Sequence, residues 1–189
     1  MTEQSGKLAL QSQEWIRTAL FQIMDKKEYS HISITEIADR AGLARQTFYR
    51  NFQSKDEILL DYLEELMKGL WKDLGELSAI NEEVLVALFR NWRSNVPSSL
   101  IHNIVAKDRK IRQLIHKSIS DSFDELFVHI KKAPEESVVD DTYRLYAHKS
   151  LSAIVHLMLI EWTLNDFQMT PEEIGGMVSD LTASIRLYL

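Results

Sequence analysis

Residues 33–52 read Ser-Ile-Thr-Glu-Ile-Ala-Asp-Arg-Ala-Gly-Leu-Ala-Arg-Gln-Thr-Phe-Tyr-Arg-Asn-Phe, and this run restricts the fold more than any other part of the chain. Ser33 and Glu36 form a Ser-x-x-Glu capping box, in which hydroxyl and carboxylate satisfy amides that a helix start leaves unpaired. A helix of about eight residues should begin there and stop at Gly42, since glycine takes the left-handed conformation that ends a helix at little cost. A second short helix then carries Arg45, Gln46, Thr47, Phe48, Tyr49 and Arg50. Ser54 to Glu57 repeats the capping pattern and opens a longer helix bearing Ile58, Leu59, Tyr62, Leu63, Leu66 and Leu70. Upstream, Leu8, Trp15, Ile16, Ala19, Leu20, Ile23 and Met24 fall on one helical stripe, which ends near Lys26 and Lys27, whose charges suit a helix carboxyl end.

Beyond Gly75 the periodicity predicts helices over 81–95, 98–106, 108–132, 138–165 and 171–188, separated by Pro97, by 133–137 with Pro134, and by 165–171. Thr170 should cap the last of these, with Pro171 in its first turn. No stretch alternates with period two as a half-buried strand would. The expected fold is all-α: a three-helix helix-turn-helix head over 1–54, then a larger helical body for dimerisation and effector binding over 55–189.

The 189 residues are 45% hydrophobic and 26% charged, ordinary globular usage that excludes disorder and fibrous repeats. No apolar run approaches the roughly 20 residues that cross a bilayer, and the amino terminus lacks a secretory pattern. With no cysteine there is no disulfide framework, thiolate metal site or cysteine nucleophile, so the expected location is cytoplasmic. The net charge of −6 is unevenly placed. Residues 1–56 hold 8 Lys+Arg against 7 Asp+Glu, and 57–189 hold 14 against 21. The acidity belongs to the body, which leaves the head free to meet an anion.

In a helix-turn-helix the second helix enters the DNA major groove. Small Ala38 lets the two helices approach, and Ile37, Leu43, Phe48 and Phe52 can build a miniature core against the first helix. Arg45, Gln46, Thr47 and Arg50 are left for the outer face, where such side chains read base edges or bind phosphate. The helix starts near Thr35 and Lys55 offer amides and dipole to phosphates, and the Tyr49 phenol can donate to another. There is no phosphate-cradling glycine loop, nucleophile elbow or dinucleotide fingerprint, so neither an enzyme nor a cofactor is expected. His102, His116, His129, His148 and His156 lie on different helices or eight residues apart, and no metal site is expected from them.

Residues 16–62 resemble the amino-terminal domain of the TetR family of bacterial transcription regulators, through the capped helix with Ile-Ala, the Ala-Gly turn, Thr-Phe-Tyr, Phe52 and Lys55. The resemblance implies phosphate contacts from Thr35, Tyr49 and Lys55 and groove contacts from Arg45, Gln46, Thr47 and Arg50, on a double-stranded DNA operator. Two departures stand out. Ala44 replaces the usual Ser or Thr at the start of the reading helix, removing a cap worth about 1 kcal/mol, so that helix is expected to fray without DNA. The glycine common between the first two helices is absent, with Lys27, Glu28 and Tyr29 there, so this turn is expected to differ.

Specific sites are normally read by two copies spaced about one helical turn along the duplex, so a homodimer is expected. Residues 138–165 carry two apolar stripes: Tyr143, Ala147, Leu151, Val155, Met158 and Trp162 on one, and Tyr146, Ala153, Leu157, Ile160 and Leu164 on the other. A helix apolar on two faces needs cover on two sides. By resemblance this helix and 171–188 form the interchain bundle, with Leu151, Val155, Met158 and Leu181 at the interface and Gly175 and Gly176 allowing close approach. The resemblance also implies an effector, whose candidate wall residues are Phe89, Trp92, His116, Phe123, Phe127, Tyr146, His148 and Trp162. The main expectation is a ligand-responsive repressor. The alternative is an activator or interaction module whose body docks a partner protein.

Overall fold

A computed structural model describes residues 2–75, 79–129 and 140–189, and within them the chain is helical, with no strand. The elements are α1 (Thr2–Met24), a 3-10 turn (Tyr29–His31), α2 (Ile34–Arg40), α3 (Arg45–Asn51), α4 (Lys55–Leu74), α5 (Glu82–Asn95), α6 (Ser98–Val105), α7 (Arg109–His129), α8 (Asp141–Leu164), α9 (Pro171–Leu181) and α10 (Ala183–Arg186). The expected break at 133–137 lies outside the described residues. Among the described residues no helix is long and apolar enough to cross a membrane.

The chain divides into two compact units, Met1–Leu63 with Pro97–Leu114, and Glu64–Val96 with Ile115–Leu189. The sequence places a boundary at 54/55, whereas here α4 and α7 each contribute to both units, and α6 joins the first.

In the first unit α1 packs on α2, α3 and α6, and α2 on α3. Ile16, Ala19, Leu20 and Met24 of α1 meet Ile37, Ala38, Phe48, Phe52, Ile58 and Leu59 in a core that excludes water. Leu43 is only partly covered. Leu8 and Trp15, expected on the buried stripe, are exposed. Trp15 borders an open cleft of about 410 Å³ with Thr18, Gln22, Arg40 and Gly42. Between α1 and α2 the chain makes the 3-10 turn without a glycine, and the Tyr29 side chain is fully buried.

In the second unit α9 packs along α5, and both α9 and α10 reach α8. Asn81 caps α5 by accepting from Val84 N at 3.1 Å, and Val84, Leu85, Leu88, Phe89 and Trp92 make its buried face. Thr170 and Glu173 form the expected capping box of α9, with Pro171 in its first turn. The helix foreseen over 171–188 breaks at Thr182. Its buried hydroxyl donates to Val178 O at 2.7 Å, a back-bond that bends helices, and Arg186 then turns inward to donate to Ser179 O and Ile80 O.

Candidate nucleic-acid interface

Ser33 holds the start of α2: its hydroxyl accepts from Glu36 N at 3.2 Å while Glu36 Oε2 accepts from Ser33 N at 2.9 Å. Lys27 Nζ donates to the other oxygen of Glu36 at 2.6 Å. This bond from Lys27, reinforced by those from Ser33, holds the Glu36 carboxyl well below its usual range, at about 2. After α2, Gly42 takes φ +68°, and Leu43 N donates to Ala38 O at 3.0 Å, closing the turn into α3.

α3 is helical from Arg45 although Ala44 provides no side-chain cap. Phe48 is fully buried and Phe52 nearly so, with ring centroids 6.4 Å apart, so one side of the helix is pinned to the core. The other side presents Arg45, Gln46, Tyr49 and Arg50 to solvent, and Thr47 is half-buried. No acidic residue occurs in α3, and among the described residues Arg45 and Arg50 have no ion pair or side-chain hydrogen bond. Two cations, an amide and a phenol therefore share a face with nothing of the head to neutralise them, as an element entering a polyanion's groove requires.

The remaining expected contacts differ from one another. Thr35 is exposed at the tip of α2. Lys55 is half-buried: its ammonium donates to Tyr29 O and Ile32 O at 2.7 Å each and to Ser30 O at 3.3 Å, and lies 4.6 Å from the Tyr29 ring centre. Its three protons are thus taken up by the 3-10 turn, and burial lowers its pKa. The start of α4 can still offer a phosphate its free amides, but the Lys55 side chain acts first as a staple for the turn.

Sequence reasoning missed a polar cluster beneath that staple. Tyr29 Oη donates to Asp56 Oδ1 at 2.6 Å, and Lys110 Nζ pairs with Asp56 Oδ2 at 2.8 Å. Burial, and then the bond to Asp56, push the Tyr29 phenol far above its ordinary pKa, so it stays a donor. Asn103 and Asp108 reach the same turn from α6 and the start of α7. The one sequence signal was an aromatic, Tyr29, inside the otherwise polar run Lys26 to His31.

In the second unit the effector candidates separate by their ring contacts. Phe89 meets Trp162 at 5.5 Å, and Trp92 Nε1 donates to Thr163 Oγ1 at 3.1 Å. Phe123 meets Phe127, which stacks on His148 at 3.5 Å. His116 pairs with His156 at 4.9 Å, while Tyr146 is 68% exposed and stands apart. Burial lowers the pKa of His148. Among the described residues no three His, Asp or Glu side chains gather as metal ligands would. A cleft of about 230 Å³ opens beside Met158, Trp162, Met169, Ile174 and Met177.

The interface candidates also divide. Leu151 and Val155 are fully buried by their own chain, and Gly175 packs on Val86 of α5, so none of the three needs a second copy to cover it. Met158 lines the cleft, Gly176 lies beside Glu82, and Leu181 is exposed.

A capped helix, a glycine turn and a second helix that turns its cations outward define a helix-turn-helix DNA-binding head. Residues 16–62 match the family model described as bacterial regulatory proteins, tetR family. The matched segment is the DNA-binding head of the TetR family, a family of regulators. It is 24% identical over 180 residues to the HTH-type transcriptional regulator YxbF of Bacillus subtilis, covering 92% of this chain and 45% of that protein. It is 30% identical over 82 residues to the dhaKLM operon transcriptional activator DhaS of Lactococcus lactis, covering 43% and 44%. The chain spans 45% and 60% of the length of two of its curated relatives, YxbF and YerO of Bacillus subtilis. Among solved structures, the dihydroxyacetone kinase operon activator DhaS aligns with a TM-score of 0.60 at 20% identity, over 94% of this chain and 97% of that one. FadR from Bacillus subtilis, solved in complex with stearoyl-CoA, aligns at 0.58 and 21%, over 90% and 97%.

Proposed function

We propose that this protein is a sequence-specific transcription regulator that binds a double-stranded operator as a homodimer, acts chiefly as a repressor in the cytoplasm, and releases DNA when its body takes up an effector. The observation that carries the reading is the outward face of α3, with Arg45, Gln46, Tyr49 and Arg50 unpaired by the head's own acids. Arg45, Gln46, Thr47 and Arg50 are assigned to the groove, and Thr35, Tyr49 and the start of α4 at Lys55 to phosphates on either side. Phosphate contacts give most of the affinity and the few base contacts give the sequence preference.

An effector can shift DNA binding only by preferring one arrangement of the dimer; a preference of about 10²-fold corresponds to about 2.7 kcal/mol. Because FadR of Bacillus subtilis is solved with stearoyl-CoA, a long-chain acyl-CoA is the first ligand to test on this body. The function is tested by selecting duplexes from a random-sequence pool with the purified full chain. Enrichment of a two-fold symmetric site, bound by one dimer, supports the reading. Recovery of no common sequence would sink it.

A further inference from the structure

Asn103 is an asparagine with no solvent exposure, and every polar atom of its side chain is used. Its Oδ1 accepts from Tyr29 N at 2.6 Å, and its Nδ2 donates to Met24 O at 3.0 Å and Ser99 O at 2.9 Å. It therefore grips the last residue of α1 and the first residue of the 3-10 turn, the two ends of the link between them. Five residues on, Asp108 Oδ2 accepts from Ser30 N at 2.8 Å, while its Oδ1 caps α7 by accepting from Lys110 N and Ile111 N at 2.9 and 3.1 Å. The chain reaches this geometry through Lys107, whose φ of +61° is a left-handed conformation that a non-glycine residue adopts at a cost.

These bonds close a ring. Asp108 holds Ser30; Tyr29, the residue before, donates its phenol to Asp56; Asp56 pairs with Lys110; and Lys110 lies in the turn that Asp108 caps. The 3-10 turn is thus clamped between the start of α4, through Lys55 and Asp56, and the α6–α7 corner. Packing alone would not call for such an arrangement, because a buried polar group contributes little unless all its bonds are made and costs much when one is lost. What the ring does specify is where Ile32 and Ser33 emerge, and so where the tip of α2 stands relative to that of α4.

We propose that Asn103 and Asp108 are positioning residues for DNA binding, which set the spacing of the α2 and α4 tips, and hence the seat of α3 between them, through the backbone N–H groups of Tyr29 and Ser30. The inference rests on the DNA-binding reading above. It names residues far outside the helix-turn-helix as determinants of operator affinity, although none of them would touch the duplex. Burial works to raise the Asp108 pKa, and the bonds from Ser30, Ile111 and Lys110 outweigh it and hold the carboxyl below its usual range, so Asp108 is an anion at neutral pH.

The test uses the full chain and the duplex that the wild type selects from a random pool. Asp108→Asn keeps one carbonyl oxygen to cap α7 but turns an amide NH2 toward the Ser30 N–H. Asp108→Ser also keeps a cap oxygen and is too short to reach Ser30. Both should raise the Kd by about tenfold or more and lower the slope of log K against log salt by about 1, as one helix tip loses its phosphate. Affinities are taken per folded molecule, counted by far-ultraviolet circular dichroism at the same temperature. Asp140→Asn, the same chemistry at the cap of α8, should change neither quantity. Unaltered Kd and salt slope in both Asp108 variants would overturn the proposal, and so would complete unfolding of both, which would make Asp108 a stability element only. A wild type that selects no duplex defeats the DNA-binding reading itself, an outcome distinct from either.

Discussion

Gly175 of α9 rests directly on Val86 of α5: a Cβ built on Gly175 would stand 2.6 Å from Val86 Cγ2 and 2.7 Å from Val86 Cα. Because one of those atoms is backbone, no rotamer change can make room, and the two helices would have to separate. Gly175→Ala should therefore lower stability by about 1–3 kcal/mol, as overpacked sites do. Gly69, inside α4 with open space around it, should respond in the opposite sense, gaining about 0.5–1 kcal/mol on replacement by Ala. Urea unfolding of the two variants checks both, and equal midpoints would contradict the close approach.

A second prediction separates reading from gripping on α3. Arg45→Ala should cost about 1–3 kcal/mol on the selected duplex and relax the preference at one base position, whereas Tyr49→Ala should weaken binding to all duplexes alike. Both side chains are exposed, so the thermal midpoint should stay close to that of the wild type. Anisotropy titrations against the selected site and single-base variants of it decide the matter. If Arg45→Ala kept full affinity and preference, α3 would not be the reading helix.

The head was legible in the sequence because its signals are local. The Ser33 and Glu36 box, the left-handed Gly42 and the alternation of Phe48 with Arg45 and Arg50 each involve residues within a few positions, and the structure contains the capping box, the turn and the outward face. Asn103 and Asp108 were not legible, since their partners lie 74 to 79 positions away and an isolated Asn or Asp in a helical region looks like surface. Lys55 shows the same limit, because its position suggested a phosphate contact while its ammonium went to three carbonyls across the fold. On α8, periodicity revealed two apolar stripes but not which residues of each the chain would cover itself: Leu151 and Val155 on one and Ile160 on the other are buried, while Tyr143 and Leu157 are exposed. That depended on α5 and α9, and Gly175, read as an interchain contact, serves the packing of that pair.

Acid should lower the protein's stability in two stages. His148 is partly buried against Phe127, and this desolvation lowers its pKa below the ordinary 6.5, opposed in part by Asp124. A folded-state pKa below the unfolded one means that the unfolded chain binds the proton more readily, so stability is complete above pH 6.5 and declines below it. Glu36 is lowered from 4.5 to about 2, so its contribution is complete above pH 4.5 and is lost as pH falls toward 2; Asp108 shifts in the same direction. His148→Phe should keep the stack and remove the decline that begins near pH 6.5, leaving the lower one in place. Glu36→Gln should blunt only the stage below pH 4.5. Thermal midpoints measured from pH 7.5 to 3 read both effects, and identical pH profiles for His148→Phe and wild type would show that His148 titrates as it does in the unfolded chain.

The two stripes of α8 should also separate on mutation. Leu151 has no exposure, so Leu151→Ala should cost about 2–5 kcal/mol through lost burial and a residual cavity, whatever the oligomeric state. Leu157 on α8 and Leu181 on α9 are 55% and 60% exposed, apolar surface that a lone chain leaves in water. If that surface is where two copies meet, Leu157→Glu and Leu181→Glu place an unpaired charge in the interface core and should shift the protein to monomer with its helical content intact. Affinity for a two-fold symmetric site should then fall steeply, because each head must bind its half-site alone. Light scattering during size-exclusion chromatography reads the mass and circular dichroism the helicity. Dimers of unchanged mass from both variants would place the contact between copies on another face of the body.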